Sequence, residues 1–141
     1  MQKKDLGLFV LILIVGAITT ALNPVFLSPV NLSNMANLVG LFGIFSIGIG
    51  IVIITGGIDL SVGSMFALIG VIFIDLMTNQ GMAWQLVLPV AVGLGVCFGL
   101  IHGVLVTRFN MQPFVVTLCG LLIYRGAARY YMNDATIGFG Y

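Results

Sequence analysis

Charge is what this sequence has least of. Only 6% of its 141 residues are charged, and it contains four acidic residues, all of them aspartates. Soluble domains carry roughly 25% charged residues, whereas this chain is 60% hydrophobic. It has too little polar surface to face water, so we expect its solvent to be lipid. The net charge of +1 also provides no basic surface for a nucleic acid.

Other absences limit the possible chemistry. Two cysteines, Cys97 and Cys119, lie in apolar segments and form neither a disulfide framework nor a metal-ligand spacing. One histidine and no glutamate cannot supply a conventional metal site, and no GxxxxGK[ST] loop is present to bind ATP. An intramembrane aspartyl protease would need two facing carboxylates, and Asp59 and Asp75 are not expected to meet. We therefore predict no catalytic residue, no metal and no cofactor in this chain, which is not expected to be an enzyme.

Long apolar runs are abundant, and a membrane-spanning helix needs about 20 such residues. We predict an all-α, polytopic transmembrane bundle, a single membrane domain over residues 1–141, with polar links between its segments. Asn23–Asn34 is expected to be a loop, with Ser33 or Asn34 capping the helix that follows. The five predicted segments are Leu6–Leu22, Met35–Thr55, Val62–Met77, Pro89–Thr107 and Pro113–Tyr130.

Basic residues predict the orientation. Residues 3–4 are lysines, which favour a cytoplasmic amino terminus, and counting crossings places Arg108 on the same side. Arg125 and Arg129 then fall towards the outside, against the rule. They stand four apart on one helix face, where they either anchor the helix at the interface, dock an external protein or brace Asp134.

Glycine is in excess, with nineteen residues against an average of roughly 7%. In membranes, small residues let helix backbones approach closely. Ala91, Gly95, Gly99 and Gly103 recur every four residues, so we predict a packing stripe along this helix. His102 is expected to lie near the stripe and to face protein, either as a hydrogen-bonded interior residue or as a proton relay.

Residues 55–64, "TGGIDLSVGS", interrupt the apolar pattern and contain one carboxylate. An ionised Asp59 at bilayer depth costs at least about 2.5–3.5 kcal/mol, so it needs a compensating partner. It can accept N–H groups at the start of the next helix and meet the positive end of its dipole. Two interpretations stay open: a capped turn at the cytoplasmic surface, or a discontinuous helix whose polar ends line a solute pathway. The residues predicted to shape this gate are Gly56, Gly57, Asp59, Ser61, Gly63 and Ser64.

The nature of the solute also has two interpretations. An ion channel or ion-coupled carrier would use Asp59 to bind the ion and His102 to relay protons. Carboxylates are too few for an obvious ion path, however. A neutral polar solute suits hydroxyl, amide and aromatic groups better, because no second charge has to be buried.

The stretch "TGGIDLSVGS" closely resembles the signature of permease subunits in bacterial ABC importers of the ribose, xylose and arabinose type. A second block, "QPFVVTLCGLLIYRGAARYYMND" at residues 112–134, resembles their PF-x-x-TL…RG pattern. The resemblance covers nearly the whole chain from about Asn31 onward. It departs at "IHGVLV", where His102 stands at the position of the family's usual asparagine.

The resemblance implies about ten membrane helices in the complete permease, of which this chain would be the amino-terminal half. It implies a second permease subunit in a dimer, a cytoplasmic ABC ATPase that binds ATP, a periplasmic or extracellular sugar-binding protein, and a bacterial inner-membrane location. On the resemblance, Thr117 and Arg125 are expected to support the pathway. The carboxyl-terminal "NDATIGFGY" predicts neither a helix nor a polar tail, so we expect the protein to be longer.

Overall fold

The computed structural model describes residues 3–138, with side chains from Asp5 onward, and it confirms a polytopic helical architecture. No strand occurs within this described range. A short 3-10 helix covers Pro24–Leu27. The long helices are α1 (Lys3–Leu22), α2 (Pro29–Ile54), α3 (Val62–Thr78), α4 (Trp84–Thr107) and α5 (Pro113–Tyr131).

Within residues 3–138, three helices are long and apolar enough to cross a membrane: α1 over Asp5–Leu22, α2 with 26 residues and α4 with 24. At 1.5 Å per residue, α2 and α4 exceed the hydrocarbon core of about 30 Å. The apolar helix α3 is shorter, with 17 residues. The chain is a membrane protein.

The chain divides into two compact units, Met1–Gly48 and Ile49–Tyr141. In the first unit, α1 packs against the 3-10 helix. In the second unit, α3 packs against both α4 and α5, and α4 also packs against α5. The three-helix arrangement of the second unit positions the site described below.

The predicted start of the second segment at Met35 is wrong, because α2 begins six residues earlier, at Pro29. Ser28 caps it: the hydroxyl of Ser28 accepts the N–H of Asn31 at 3.3 Å, which is the third helical residue. Proline suits the first helical position, where its missing N–H costs nothing. Ser33 and Asn34 therefore lie inside α2, and neither is its cap.

The predicted start of the fourth segment at Pro89 is also wrong, because α4 begins at Trp84 and contains Pro89 in its interior. Membrane helices tolerate an interior proline because neighbouring groups satisfy the freed carbonyl. The predicted starts of α3 at Val62 and α5 at Pro113 are confirmed.

Few side chains are fully buried, as expected for a bundle whose outer faces meet lipid. Among the residues whose side chains are described, the buried apolar ones are Leu68, Val87, Val116 and Tyr124. The buried polar residues are Ser61, with no exposed surface, and Thr117. Polar groups thus lie at the centre of the second unit, where α3, α4 and α5 meet.

Candidate functional site: a polar chain joining three helices

Helix α2 ends in a glycine turn that leads the chain into the break. Gly56 has a φ of +80°, a left-handed conformation that glycine adopts without a Cβ penalty. Its N–H donates to the carbonyl of Ile53 at 2.9 Å, and the N–H of Gly57 donates to that of Val52 at 3.0 Å. This pair of bonds is the Schellman motif, which satisfies the last carbonyls of a helix. The Gly-Gly pair therefore terminates α2 and redirects the backbone.

Asp59 binds the beginning of α3. Its Oδ1 accepts both the N–H of Ser61 at 2.8 Å and the hydroxyl of Ser61 at 2.7 Å. Ser61 precedes the first residue of α3, so the carboxylate lies at the positive end of the helix dipole. The hydroxyl of Ser64 donates to the carbonyl of Ser61 at 2.8 Å. Asp59 thus has the compensating donors that a carboxylate in apolar surroundings requires.

The polar chain continues from Ser61 to α4 and α5. Nδ1 of His102 lies 3.5 Å from Oγ of Ser61, at the long limit of a hydrogen bond, and Nε2 lies 3.0 Å from the hydroxyl of Tyr124. Ser61 has one hydroxyl hydrogen and gives it to Asp59, so a hydrogen bond between Ser61 and His102 requires Nδ1–H as the donor. In the neutral ring, Nε2 then accepts from Tyr124. The network therefore favours the Nδ1–H tautomer of His102, whose two ring nitrogens face Ser61 and Tyr124.

This chain lies well inside the helices that hold it. His102 precedes the last residue of α4 by five residues, and Gly120, which contacts His102, follows the first residue of α5 by seven. At 1.5 Å per residue, these separations are about 8 Å and 10 Å. Helix α3 therefore starts about 8–10 Å in from the ends of α4 and α5, which favours a discontinuous helix over a turn at the surface.

A second contact holds the break against α5. The buried hydroxyl of Thr117 lies 3.0 Å from the carbonyl oxygen of Ile58 and 2.9 Å from that of Pro113. Thr117 can therefore donate to a carbonyl of the break that has no helical partner. The sequence predicts a supporting role for Thr117 only through the family resemblance, and the contact with the carbonyl of Ile58 gives that role a physical basis.

Gly120 is a site residue that sequence reasoning missed. A Cβ built at Gly120 would lie 2.6 Å from Nε2 of His102 and 3.2 Å from Cβ of Ser61. Only a residue without a side chain permits that approach. The available signal was the spacing of Gly120 and Tyr124, which lie four apart and therefore on one face of α5.

A cavity of about 350 Å³ adjoins the polar chain. It lies between the end of α2, the break, α4 and the first turns of α5. Its polar border includes Thr55, Asp59, His102, Thr107 and Thr117. A larger cavity of about 980 Å³, between α1 and the 3-10 helix, is bordered by apolar residues and two threonines only.

The glycines of α4 have different environments. A Cβ at Gly95 would meet Ile69 of α3 at an ordinary 3.8 Å, whereas none at Gly99 or Gly103 would meet an atom of the described residues within 4 Å. Gly99 and Gly103 border the 350 Å³ cavity instead. Their packing role stays a prediction.

Arg125 is not brought to the polar chain. It is exposed and borders a separate cavity of about 390 Å³ together with Gly63 and Ser64. Its neighbour Arg129 donates from Nε to Oδ1 of Asp134 at 2.6 Å, which confirms the predicted bracing for Arg129. Both partners of that ion pair are mostly exposed, so it contributes little to stability.

Asp75 lies near the opposite end of α3 and does not meet Asp59. Its Oδ2 accepts the hydroxyl of Tyr131 at 2.6 Å, and its Oδ1 accepts the amide of Asn79. The two aspartates of α3 and its preceding break therefore have separate hydrogen-bond partners. Among the residues that the structure describes, no group of three or more His, Cys, Asp or Glu side chains suits a metal.

Comparison with known proteins adds a family. Residues 31–140 match the family described as "Branched-chain amino acid transport system / permease component". The matched range contains the break, the polar chain and the 350 Å³ cavity. No solved structure matches the chain.

Curated relatives have sugar-import names. The chain is 34% identical over 140 residues to the ribose import permease protein of Escherichia coli K12, covering 99% of this chain and 42% of that protein. It is 37% identical over 139 residues to that of Bacillus subtilis 168, covering 97% and 42%. It is 30% identical over 141 residues to the galactose/methyl galactoside import permease protein of E. coli K12, covering 92% and 42%. The chain thus spans about two fifths of the length of these relatives.

Proposed function

We infer the function from the family, because this chain belongs to the permease components of the branched-chain amino acid transport type. We propose that it forms part of the translocation pathway of an ATP-driven sugar importer. The observation that carries this proposal is the polar chain from Asp59 through Ser61 and His102 to Tyr124, in which Ser61 and Tyr124 are buried. In an apolar bundle, polar groups at a helix break are typical of transporter pathways.

The named relatives support sugar over amino acids as the solute. Three of them are named as import permeases for ribose, fructose and galactose or methyl galactoside. We therefore propose a monosaccharide as the imported solute.

The proposed subunit assembly also rests on membership in this permease family. The proposed complex has a second permease subunit, a cytoplasmic ABC ATPase that binds the ATP, and a sugar-binding protein outside the membrane. It sits in the bacterial inner membrane with the amino terminus of this chain in the cytoplasm. The proposed pathway and gate residues are Gly56, Gly57, Asp59, Ser61, Gly63, Ser64, Thr117 and Arg125.

The test is uptake of labelled D-ribose, D-galactose or D-fructose by proteoliposomes that contain the full-length permease, its ATPase and its binding protein. We expect accumulation of at least one of these sugars only when ATP is supplied. Asp59→Ala should insert normally but lower the uptake rate at least about tenfold, equivalent to 1.36 kcal/mol. Asp134→Ala is the matched control, because Asp134 lies outside the helices and pairs only with Arg129 among the described residues. Normal uptake by the Asp59→Ala permease would refute the pathway role.

An ion channel or ion-coupled carrier is the second candidate. It is favoured by one observation: the carboxylate of Asp59 and the ring of His102 are linked through a single hydroxyl, as a proton relay would need. This candidate predicts ion currents across bilayers that hold the permease without its ATPase. Silent bilayers together with ATP-dependent sugar uptake decide for the importer.

A further inference from the structure

The two carboxylate oxygens of Asp59 have different environments. Oδ1 accepts both donors of Ser61, and no group among the described residues donates to Oδ2. Every buried side-chain oxygen and nitrogen in this part of the chain has a hydrogen-bond partner. Oδ2 therefore has accessible surface, and Asp59 borders the 350 Å³ cavity.

The hydroxyls around this cavity are also acceptors. Thr55 and Thr107 donate their hydrogens to the carbonyls of Val52 and Gly103, at 2.8 Å and 2.7 Å. Thr117 donates to a backbone carbonyl as described above. Each hydroxyl has one hydrogen and retains lone pairs. The cavity consequently offers one charged and several neutral acceptors, and it suits a ligand that brings hydrogen-bond donors.

The border also excludes some ligands. Among the described residues, no lysine or arginine borders the cavity, so an anionic ligand such as a sugar phosphate would meet Asp59 with no opposing charge. A multivalent metal would need more charged ligands than one carboxylate. The volume of about 350 Å³ lies in the range of small-molecule sites and exceeds what a bare ion fills.

We propose that this cavity binds a neutral polyol, whose hydroxyl groups donate to Oδ2 of Asp59 and to the bordering threonine hydroxyls. The inference rests on the proposed function and deepens it, since it assigns the sugar a binding site at the helix break. It also gives the two oxygens of Asp59 separate roles: Oδ1 accepts hydrogen bonds from Ser61 at the start of α3, and Oδ2 accepts a hydrogen bond from the solute. Gly99 and Gly103 leave the volume open by lacking side chains.

Thiol protection in the full importer tests this site. The probe position is Gly103→Cys, in a chain that also carries Cys97→Ser and Cys119→Ser because both native thiols are exposed. The reagent is a charged, membrane-impermeant methanethiosulfonate. Gly93→Cys is the matched control, because Gly93 is exposed on the same helix, has no atom within 4 Å of a built Cβ and does not border the cavity.

We expect the reagent to modify the thiol introduced at position 103, and we expect D-ribose, D-galactose or D-fructose to slow that reaction severalfold. L-leucine and potassium chloride should not slow it, and the thiol at position 93 should respond to none of them. Asp59→Asn keeps an oxygen for Ser61 but presents a donor in place of Oδ2. It should raise the sugar concentration for half-protection about tenfold, equivalent to 1.4 kcal/mol.

Four outcomes would overturn the site: no reaction at position 103, no protection by any of the three sugars, equal protection by leucine or potassium, or full protection in Asp59→Asn. ATP-dependent sugar uptake by the unmodified importer is measured alongside. Uptake without protection refutes this site and leaves the proposed function standing. Protection without uptake refutes the proposed function and leaves the binding site.

Discussion

Gly120 and His102 lie so close that the space between them cannot hold a methyl group. A Cβ at position 120 would lie 2.6 Å from Nε2 and 2.8 Å from Cε1 of the histidine ring. The ring cannot simply move aside, because both of its nitrogens take part in the polar chain. This contact fixes how closely α4 and α5 approach, and it thereby positions the start of α3.

Gly120→Ala should therefore destabilise the permease and disturb the polar chain. Overpacking a well-packed interior costs about 1–3 kcal/mol, so we expect a lower thermal unfolding midpoint in detergent and a lower uptake rate. Gly126→Ala is the control on the same helix, because a Cβ there meets nothing within 4 Å among the described residues. If both variants unfold at the wild-type temperature, the close contact does not constrain the bundle.

Tyr124→Phe should isolate the last bond of the polar chain. The substitution keeps the ring, whose centroid lies 4.6 Å from that of Phe98, but removes the hydroxyl that bonds Nε2 of His102. A buried acceptor left without its donor costs about 1–3 kcal/mol. Thermal unfolding of the variant should show that loss, whereas Tyr130→Phe, at a tyrosine that is 87% exposed, should not. Equal midpoints for the two variants would show that the hydroxyl of Tyr124 contributes nothing.

The two bonds of His102 can be separated by two amides. Asparagine places a donor near the position of Nδ1 and can still bond Ser61, while glutamine reaches towards the position of Nε2 and Tyr124. Because Ser61 holds Asp59, we expect His102→Asn to keep more uptake than His102→Gln. Measured uptake rates decide this, and a higher rate for His102→Gln would mean that the bond to Tyr124 is the one that matters.

Much of the helical order was predictable from local signals. The apolar runs, the Gly-Gly pair at the end of α2 and the proline that opens α5 each act on their immediate neighbours. The starts of α2 and α4 were not predictable in this way. The two prolines of residues 23–34 predict a loop, whereas the hydroxyl of Ser28 caps a helix that begins at Pro29. The preference of proline for a first helical position predicts a start at Pro89, whereas α4 begins at Trp84.

The site was predictable only where its residues are neighbours in sequence. The pairing of Asp59 with the start of α3 follows from sequence spacing, because Ser61 and Val62 lie two and three residues after it. Gly120 and Tyr124 of α5 contact His102 of α4, which lies about 20 residues earlier in the sequence. The periodicity of one helix does not reveal which residues of another helix pack against it. The glycines of α4 illustrate the same limit, because their spacing indicates a smooth stripe but not whether a helix or a cavity adjoins it.

Thr117→Val tests the tie between α5 and the break. The substitution keeps the shape of the side chain but removes the hydroxyl that lies 3.0 Å from the carbonyl of Ile58, so this carbonyl of the break loses its donor. Such a loss costs about 1–3 kcal/mol when the group is buried, and we expect a lower uptake rate with normal insertion. Thr117→Ser keeps the hydroxyl and should restore most of the uptake. If Val and Ser reduce uptake equally, the methyl group of Thr117 is what matters, and the break is held by packing instead of by this hydrogen bond.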